Sequence, residues 1–329
     1  MMPVRLSLAL GALLLVAALL SLFCGQAPIT LGSFAGLVSG SASLDVLILS
    51  EIRLPRLVLG LVLGAGLGGA GAVLQGFLRN PLADPGVIGV SASAGFGAVL
   101  ALYFGVSGLF ALALPLAGVT GAAVGVILLF LIAGSGASAT TLILSGVAVN
   151  ALAGALTALM MNLAPNPWAL SEIAYWLMGS LKDASWNEVL FAAPLILAGL
   201  LVLLSTVSSL DALSLGEDAA RSLGVDLRRL RLAVVAGTAL AVGGGVAVAG
   251  AIGFVGLVVP HILRPLTGHQ PGALVLPSML GGALLVVLAD MAVRLMSGPG
   301  VPLYLGVLTA LIGAPFFLWL VRASQRIAP

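Results

Sequence analysis

Apolar residues run along this chain in near-continuous blocks of about twenty, separated by short stretches rich in Gly, Pro and Arg. Ten blocks can be marked, at about 4–23, 54–77, 86–104, 109–133, 141–163, 188–206, 231–250, 252–264, 273–294 and 303–322. A helix needs about 20 apolar residues to cross the hydrocarbon core of a bilayer. The eighth block is short for that, and Pro260 lies inside it, which predicts a broken or tilted span. A β-barrel would show residue-by-residue alternation instead. The predicted fold class is therefore all-α, a polytopic membrane bundle of about ten transmembrane helices forming one domain over residues 1–329. Trp168–Gly179 is only half apolar, with Trp168, Tyr175 and Trp176, and reads as an interfacial helix.

One stretch breaks the pattern. Asp211–Arg231 holds eight charged residues in 21 positions, against 24 in the whole chain (13 Lys+Arg and 11 Asp+Glu). A charge at mid-bilayer costs roughly 2.5–3.5 kcal/mol, so this segment belongs in water. Ser214-Leu-Gly-Glu217 fits a capping box. Leu215, Ala219 and Leu223 make a narrow apolar stripe, Gly224 is a natural stop, and Asp226 is placed to cap a second helix from Leu227. The segment is either an ordinary solvated loop or a docking helix for a soluble partner.

Composition agrees with the pattern: 61% of the 329 residues are hydrophobic and 7% charged, where soluble domains carry about 25%. The net charge of +2 says little about partners. The single cysteine, Cys24, excludes an internal disulfide, and Phe23 before it is wrong for a lipoprotein site. Met1–Phe23 lacks a small-x-small cleavage site and reads as the first span. Ten spans put both termini on one side. With termini inside, the inner positive charges are Arg5, Arg79, Arg221, Arg228, Arg229, Arg231, Arg264, Arg322 and Arg326, and the outer ones Arg53, Arg56, Lys182 and Arg294. Nine against four places the termini and the Asp211–Arg231 segment in the cytoplasm. Gly60, Gly64 and Gly68 in the second span read as close helix packing.

Catalytic signatures are missing. The only lysine, Lys182, lies outside any phosphate-cradling glycine loop. His261 and His269 have no Cys, Asp or Glu close in sequence, short of the three or four ligands a metal site needs. Gly105-Val-Ser107-Gly108 matches a GxSG protease motif, but on the side opposite the histidines. Asp290 is the one ionisable candidate for a proton path, the basis of an alternative reading as a proton-coupled secondary transporter. It stands four residues before Arg294, a spacing that favours a helical ion pair. The chain is therefore expected to be no enzyme, to hold no metal or cofactor, and to draw its energy from another chain.

Several long motifs occur in order: Arg53-Leu-Pro-Arg56, Gln75-Gly-Phe-Leu-Arg79-Asn80-Pro81-Leu82-Ala83-Asp84-Pro85-Gly86, Leu223-Gly224-Val225, Gly253-Phe254-Val255-Gly256-Leu257-Val258-Val259-Pro260-His261-Ile262-Leu263-Arg264, Ala289-Asp290-Met-Ala-Val-Arg294 and Gly313-Ala314-Pro315-Phe316-Phe317. Over about residues 50–322 the chain resembles FecCD-type permease subunits of type II ABC importers, which carry iron–siderophores, haem and vitamin B12. The resemblance implies a bacterial inner-membrane protein without nucleic-acid partners, paired with a second permease copy, two ATPase subunits holding ATP and magnesium, and a substrate-binding protein. It implies a coupling helix over about 214–223, with Ser214, Leu215, Gly216, Glu217, Ala219, Ala220, Leu223 and Gly224 facing the ATPase. Arg53, Arg56 and Arg294 match arginines that dock the binding protein in the vitamin B12 branch; local pairing is the competing reading, with Glu51 near Arg53. Asn80 and Leu82 match one cytoplasmic gate, and Ala139 and Thr140, in a short loop before the fifth span, the other. That branch has Thr-Ser where this chain has Ala139-Thr140.

Overall fold

In the computed structural model, which describes residues 2–41, 43–134, 137–298 and 302–325, the chain is helical almost throughout. Arg326, counted above among the inner charges, lies outside the described residues. The helices are α1 (Met2–Phe23), α2 (Leu31–Ser39), α3 (Leu44–Ile48), α4 (Leu54–Phe77), α5 (Val90–Tyr103), α6 (Ala113–Ala133), α7 (Ala139–Asn162), α8 (Pro167–Leu177), α9 (Trp186–Ser205), α10 (Val207–Leu213), α11 (Glu217–Ser222), α12 (Leu227–Thr238), α13 (Gly244–Ala249), α14 (Val255–Leu263), α15 (Pro271–Met296) and α16 (Leu305–Gln325). Among the described residues, seven helical segments are long and apolar enough to cross a membrane, and α5 and α16 are shorter apolar helices. With α14 these account for ten apolar segments.

The second span is longer than its apolar block. Helix runs without interruption from Leu44 to Phe77, through one π-helical turn at Leu49–Arg53. Pro55 explains the turn: it has no N–H to donate and its ring crowds the preceding carbonyls, so the helix widens before it. Ser50 O, whose π-register donor would be Pro55, accepts instead from Trp186 Nε1 at 2.9 Å. The wider turn carries Arg53 into the interior.

α4 is the centre of the bundle. Its most apolar stretch is largely buried, whereas α1, α6 and α7 bury less than a third of theirs. α15 lies along it so closely that a Cβ on Gly68 would stand 2.0 Å from Ser278 O, and one on Gly64 2.5 Å from Gly282 O. On another face of α4, a Cβ on Gly71 would stand 2.0 Å from Gly256 O of α14. α9, α12 and α13 complete the shell around α4; α5, α6 and α7 form a neighbouring group, and α1 packs on α15.

The eighth span is broken, but not where its proline sits. Pro260 lies within α14, and the interruption falls at Gly250–Phe254, where Gly250 and Phe254 both have φ near +70°. Only nine residues of helix remain, about 14 Å. The non-helical stretch runs hard against its neighbours: a Cβ on Gly179 or on Gly306 would stand 2.3 Å from Ala251 O, and just before it Ser180 N donates to Ala249 O at 2.8 Å. α8 sits here as the amphipathic helix read from the sequence, with Ile173 buried, Trp168 exposed and Tyr175 stacked on Tyr304.

The start of α1 lies beside the turn at Pro265–Thr267, and α16 runs from Gly179 past His261, so both chain ends point to the end of the bundle that carries α11. Gly71→Ala forces its methyl into a carbonyl and is expected to destabilise by about 1–3 kcal/mol or more. Gly11→Ala in α1, where a Cβ meets nothing within 4 Å, is expected to keep stability or raise it by up to about 1 kcal/mol; thermal unfolding of the purified variants in detergent measures both.

Candidate functional site

Two polar regions occupy opposite ends of the bundle. At the end away from α11 is a cavity of about 680 Å³ lined by Cys24, Gln26, Arg53, Arg56, Ser180, Lys182, Arg294 and Tyr304 among others. The three arginines matched to binding-protein docking all reach it, brought together from the start of α4 and the end of α15. Their guanidinium groups turn inward. Arg53, only 6% exposed, donates to Leu22 O at 2.6 Å and to Ala27 O; it does not use Glu51. Arg56 holds Asp290 bidentately, with Nε 3.0 Å from both carboxylate oxygens and Nη2 2.7 Å from Oδ1. Arg294 approaches the same carboxylate at 3.1 Å through Nε and donates to Ser21 O and Cys24 O, both at 2.9 Å, and to Ser21 Oγ.

The pairing of Asp290 with Arg294 is thus as its spacing predicts, but half of the arrangement was hidden. Asp290, 4% exposed, is the shared counter-ion of two arginines, and the second lies 234 positions away. Nothing in the spacing of Arg56 announces that partner. A carboxylate clasped this way fixes α4 to α15 rather than offering a free acid to a proton path. Counting Arg53, Arg56, Lys182 and Arg294 against Asp290, the cavity keeps a surplus of positive charge.

At the other end, α11 stands clear of the bundle on α10, a helix the apolar pattern does not reveal. α10 is anchored by Leu210 and Leu213, both buried, and α11 by Ala220. Leu215 and Leu223 are 69% and 65% exposed. The capping box at Ser214–Glu217 does not form. Ser214 ends α10 in helical conformation and its hydroxyl donates to Asp211 O at 2.6 Å; α11 starts instead after Gly216, whose φ of +105° suits glycine. Leu215 therefore precedes α11, and the stripe with Ala219 and Leu223 is not one helix face. Glu217 pairs with Arg221 at 3.5 Å. Gly224 does stop the helix, at φ +87°, with its N–H on Arg221 O. Asp226 caps α12, accepting from Arg228 N and Arg229 N at 2.9 and 3.1 Å.

The matched gate residues lie at this end too. Asn80 Oδ1 accepts from Leu82 N at 2.9 Å, closing a tight turn after α4. Asp84 Oδ1 accepts from Gly86 N at 2.8 Å. Burial pushes the Asp84 carboxyl above the usual range, and that hydrogen bond works the other way. The loop rests on α7, where a Cβ at Gly146 would stand 2.2 Å from Val87 O. Ala139 and Thr140 are not in a loop: they form the first turn of α7, capped by Ser138, which accepts from Thr141 N at 3.1 Å. Behind the loop, buried Gln75 donates to Gly256 O and Leu257 O, each at 3.4 Å, and accepts from Arg264, so α4 grips α14. His261 faces Phe316 edge-on at 5.8 Å. His269 is exposed beyond α14. Ser107, in the turn after α5, is at the opposite end from His261, so the protease motif and that histidine are not brought together. Among the described residues, no cluster of three or more His, Cys, Asp or Glu could hold a metal ion.

Removing the shared anion tests the cavity. Breaking a buried pair from one side costs about 3–5 kcal/mol. Asp290→Ala is expected to lower the unfolding temperature sharply, and Arg56→Met with Asp290→Leu to recover part of the loss, both read by thermal unfolding in detergent.

The profile of the FecCD transport family matches residues 13–323. The cobalamin import system permease of Halobacterium salinarum is 40% identical over 301 residues, 90% of this chain and 79% of that protein. The Fe(3+)-citrate import system permease of Bacillus subtilis is 36% identical over 326 residues, 98% of this chain and 96% of its own length. A structure described as an inward-facing metal-chelate type ABC transporter superposes with a TM-score of 0.84 at 34% identity, covering 97% of this chain and 99% of that one. The chain belongs to the FecCD transport family and is a membrane permease subunit of an ABC importer.

Proposed function

We propose that this permease carries a metal chelate, an iron–siderophore, haem or cobalamin, across the bacterial inner membrane into the cytoplasm, with residues 1–329 acting as one transmembrane domain. It works as one of two permease copies, with two separate ATPase subunits below and a substrate-binding protein above. Both termini, α11 and the gate segments at Asn80, Leu82, Ala139 and Thr140 face the cytoplasm, in keeping with nine inner against four outer positive charges. The observation that carries the reading is α11. A short charged helix stands off a membrane bundle with Leu215 and Leu223 exposed, as a surface made for a soluble partner would.

At the other end, Arg53, Arg56 and Arg294 form the positive floor of the cavity that receives the binding protein. A partner's acidic side chain is drawn by their field, with exposed Lys182 at the rim. Because the arginines are already engaged, that side chain has to share them with Asp290 and the carbonyls of α1.

Leu215→Asp with Leu223→Asp places charge on exposed positions, so the permease is expected to fold at its usual unfolding temperature. The same variant is expected to lose co-purification with the ATPase and ATP-dependent uptake. Retained ATPase binding in this variant would sink the reading. Uptake of labelled haem, ferric siderophore and cobalamin into proteoliposomes identifies the cargo.

A further inference from the structure

Asp211 begins the charged stretch, and its carboxylate points away from α11. Oδ1 accepts from Gly272 N at 2.7 Å and Oδ2 from Gln270 Nε2 at 3.0 Å, across 61 and 59 positions of sequence. These are the groups at the start of α15. The first N–H groups of a helix have no partner within it. Here the N-cap Gln270 makes no side-chain cap, and Pro271 has no N–H. Gly272 N is thus the first open donor of α15, and another helix fills it with a carboxylate, the charge that a helix N-terminus favours. The approach is close enough that a Cβ on Gly272 would stand 2.6 Å from Asp211 Oδ2 and 2.8 Å from the Val207 side chain.

We propose that Asp211 is a positioning residue for energy coupling: it fastens the segment bearing the docking helix to α15, so that α10, α11 and α15 move as one body. The proposal rests on the reading of α11 as the ATPase contact. α15 is 26 residues long, about 39 Å, and its far end carries Asp290 and Arg294. A displacement imposed on α11 is delivered through the Asp211 carboxylate to α15, and along that helix to the outer cavity. Leu210 and Leu213 seat α10 in the core, but apolar packing permits sliding; two hydrogen bonds from one carboxylate fix the register.

The test uses the permease–ATPase complex in proteoliposomes and reads ATP hydrolysed per molecule transported, alongside the unfolding temperature. Asp211→Ala is expected to keep ATP hydrolysis and to raise that ratio by about 5-fold or more. Asp211→Asn keeps an acceptor for Gly272 N and is expected to stay near the wild-type ratio. In a Cys24→Ser background, Asp211→Cys with Gln270→Cys is expected to be uncoupled when reduced. A short thiol cross-linker should return it to the wild-type ratio, a rescue that lost stability alone does not predict. An unchanged ratio in Asp211→Ala, or a cross-link that leaves the ratio raised, overturns the proposal. If the Leu215→Asp, Leu223→Asp variant still binds the ATPase, the docking reading fails and this proposal falls with it; if that variant behaves as expected and Asp211→Ala stays coupled, only the proposal falls.

Discussion

Everything in this bundle is hung on the contact between α4 and α15, where two backbones meet with almost no side chain between them. A carbonyl from Ser278 and one from Gly282 occupy the space that a Cβ on Gly68 or Gly64 would need. In lipid there is little hydrophobic drive to press helices together, so packing at contact distance supplies much of their attraction. The seam sets the separation of the two longest elements of the core, and the ends of those helices define both polar regions. Arg56 and Asp290 can meet because the seam brings their backbones into range. Pro271 and Leu210 both pack around Gly76 for the same reason.

The arginine–aspartate cluster adds direction to that contact. Three arginines near a membrane interior are expensive unless their donors are filled. Here they are filled by one carboxylate and by carbonyls at and just beyond the end of α1, from Ser21, Leu22, Cys24 and Ala27. The cluster therefore closes α1 onto α4 and α15. It also keeps the cavity positive, since its lining carries Arg53, Arg56, Lys182 and Arg294 while Asp290 is shared between two of them. Structural pairing is compatible with the proposed attraction of an acidic partner, because a field acts beyond the atoms it is bonded to.

The spans were legible because length and hydropathy decide them; among the described residues the blocks become helices, the second extended back to Leu44 and the eighth reduced to nine residues. What escaped was set by single backbone groups. Pro260 looked like the break in the eighth span, yet the helix continues through it, with the i−4 carbonyl of Gly256 accepting from Gln75, and Gly250 and Phe254 break the chain before it. The second block was marked from residue 54, and Pro55 there provokes a π turn in a longer helix. The Ser214–Glu217 box failed because α10 already claims Ser214, and α10 is too short and mixed to show a period. At the sites, Arg53, Arg56 and Arg294 could be matched to an outer cluster from the motifs. Apart from the i,i+4 pair of Asp290 with Arg294, their inward bonding depends on tertiary neighbours that no local pattern encodes, and so does the role of Gln75.

The two ends of the molecule are linked unevenly. α4 is gripped on several faces, by α15 through the glycine seam and by α14 through Gln75 and Gly71, so it has little freedom to move on its own. α14 is short and preceded by a non-helical strand, and α7 buries little of its surface within this chain. Close packing is thus concentrated in the pair that spans between α10 and the arginine cluster, and looser packing in α7, beside the turn at residues 80–86. That division suits the proposed function, in which force enters at one face and a path opens near it. Glycine is what allows both here: it locks α4 to α15 by removing side chains, and at Gly250 it releases the chain from helical geometry.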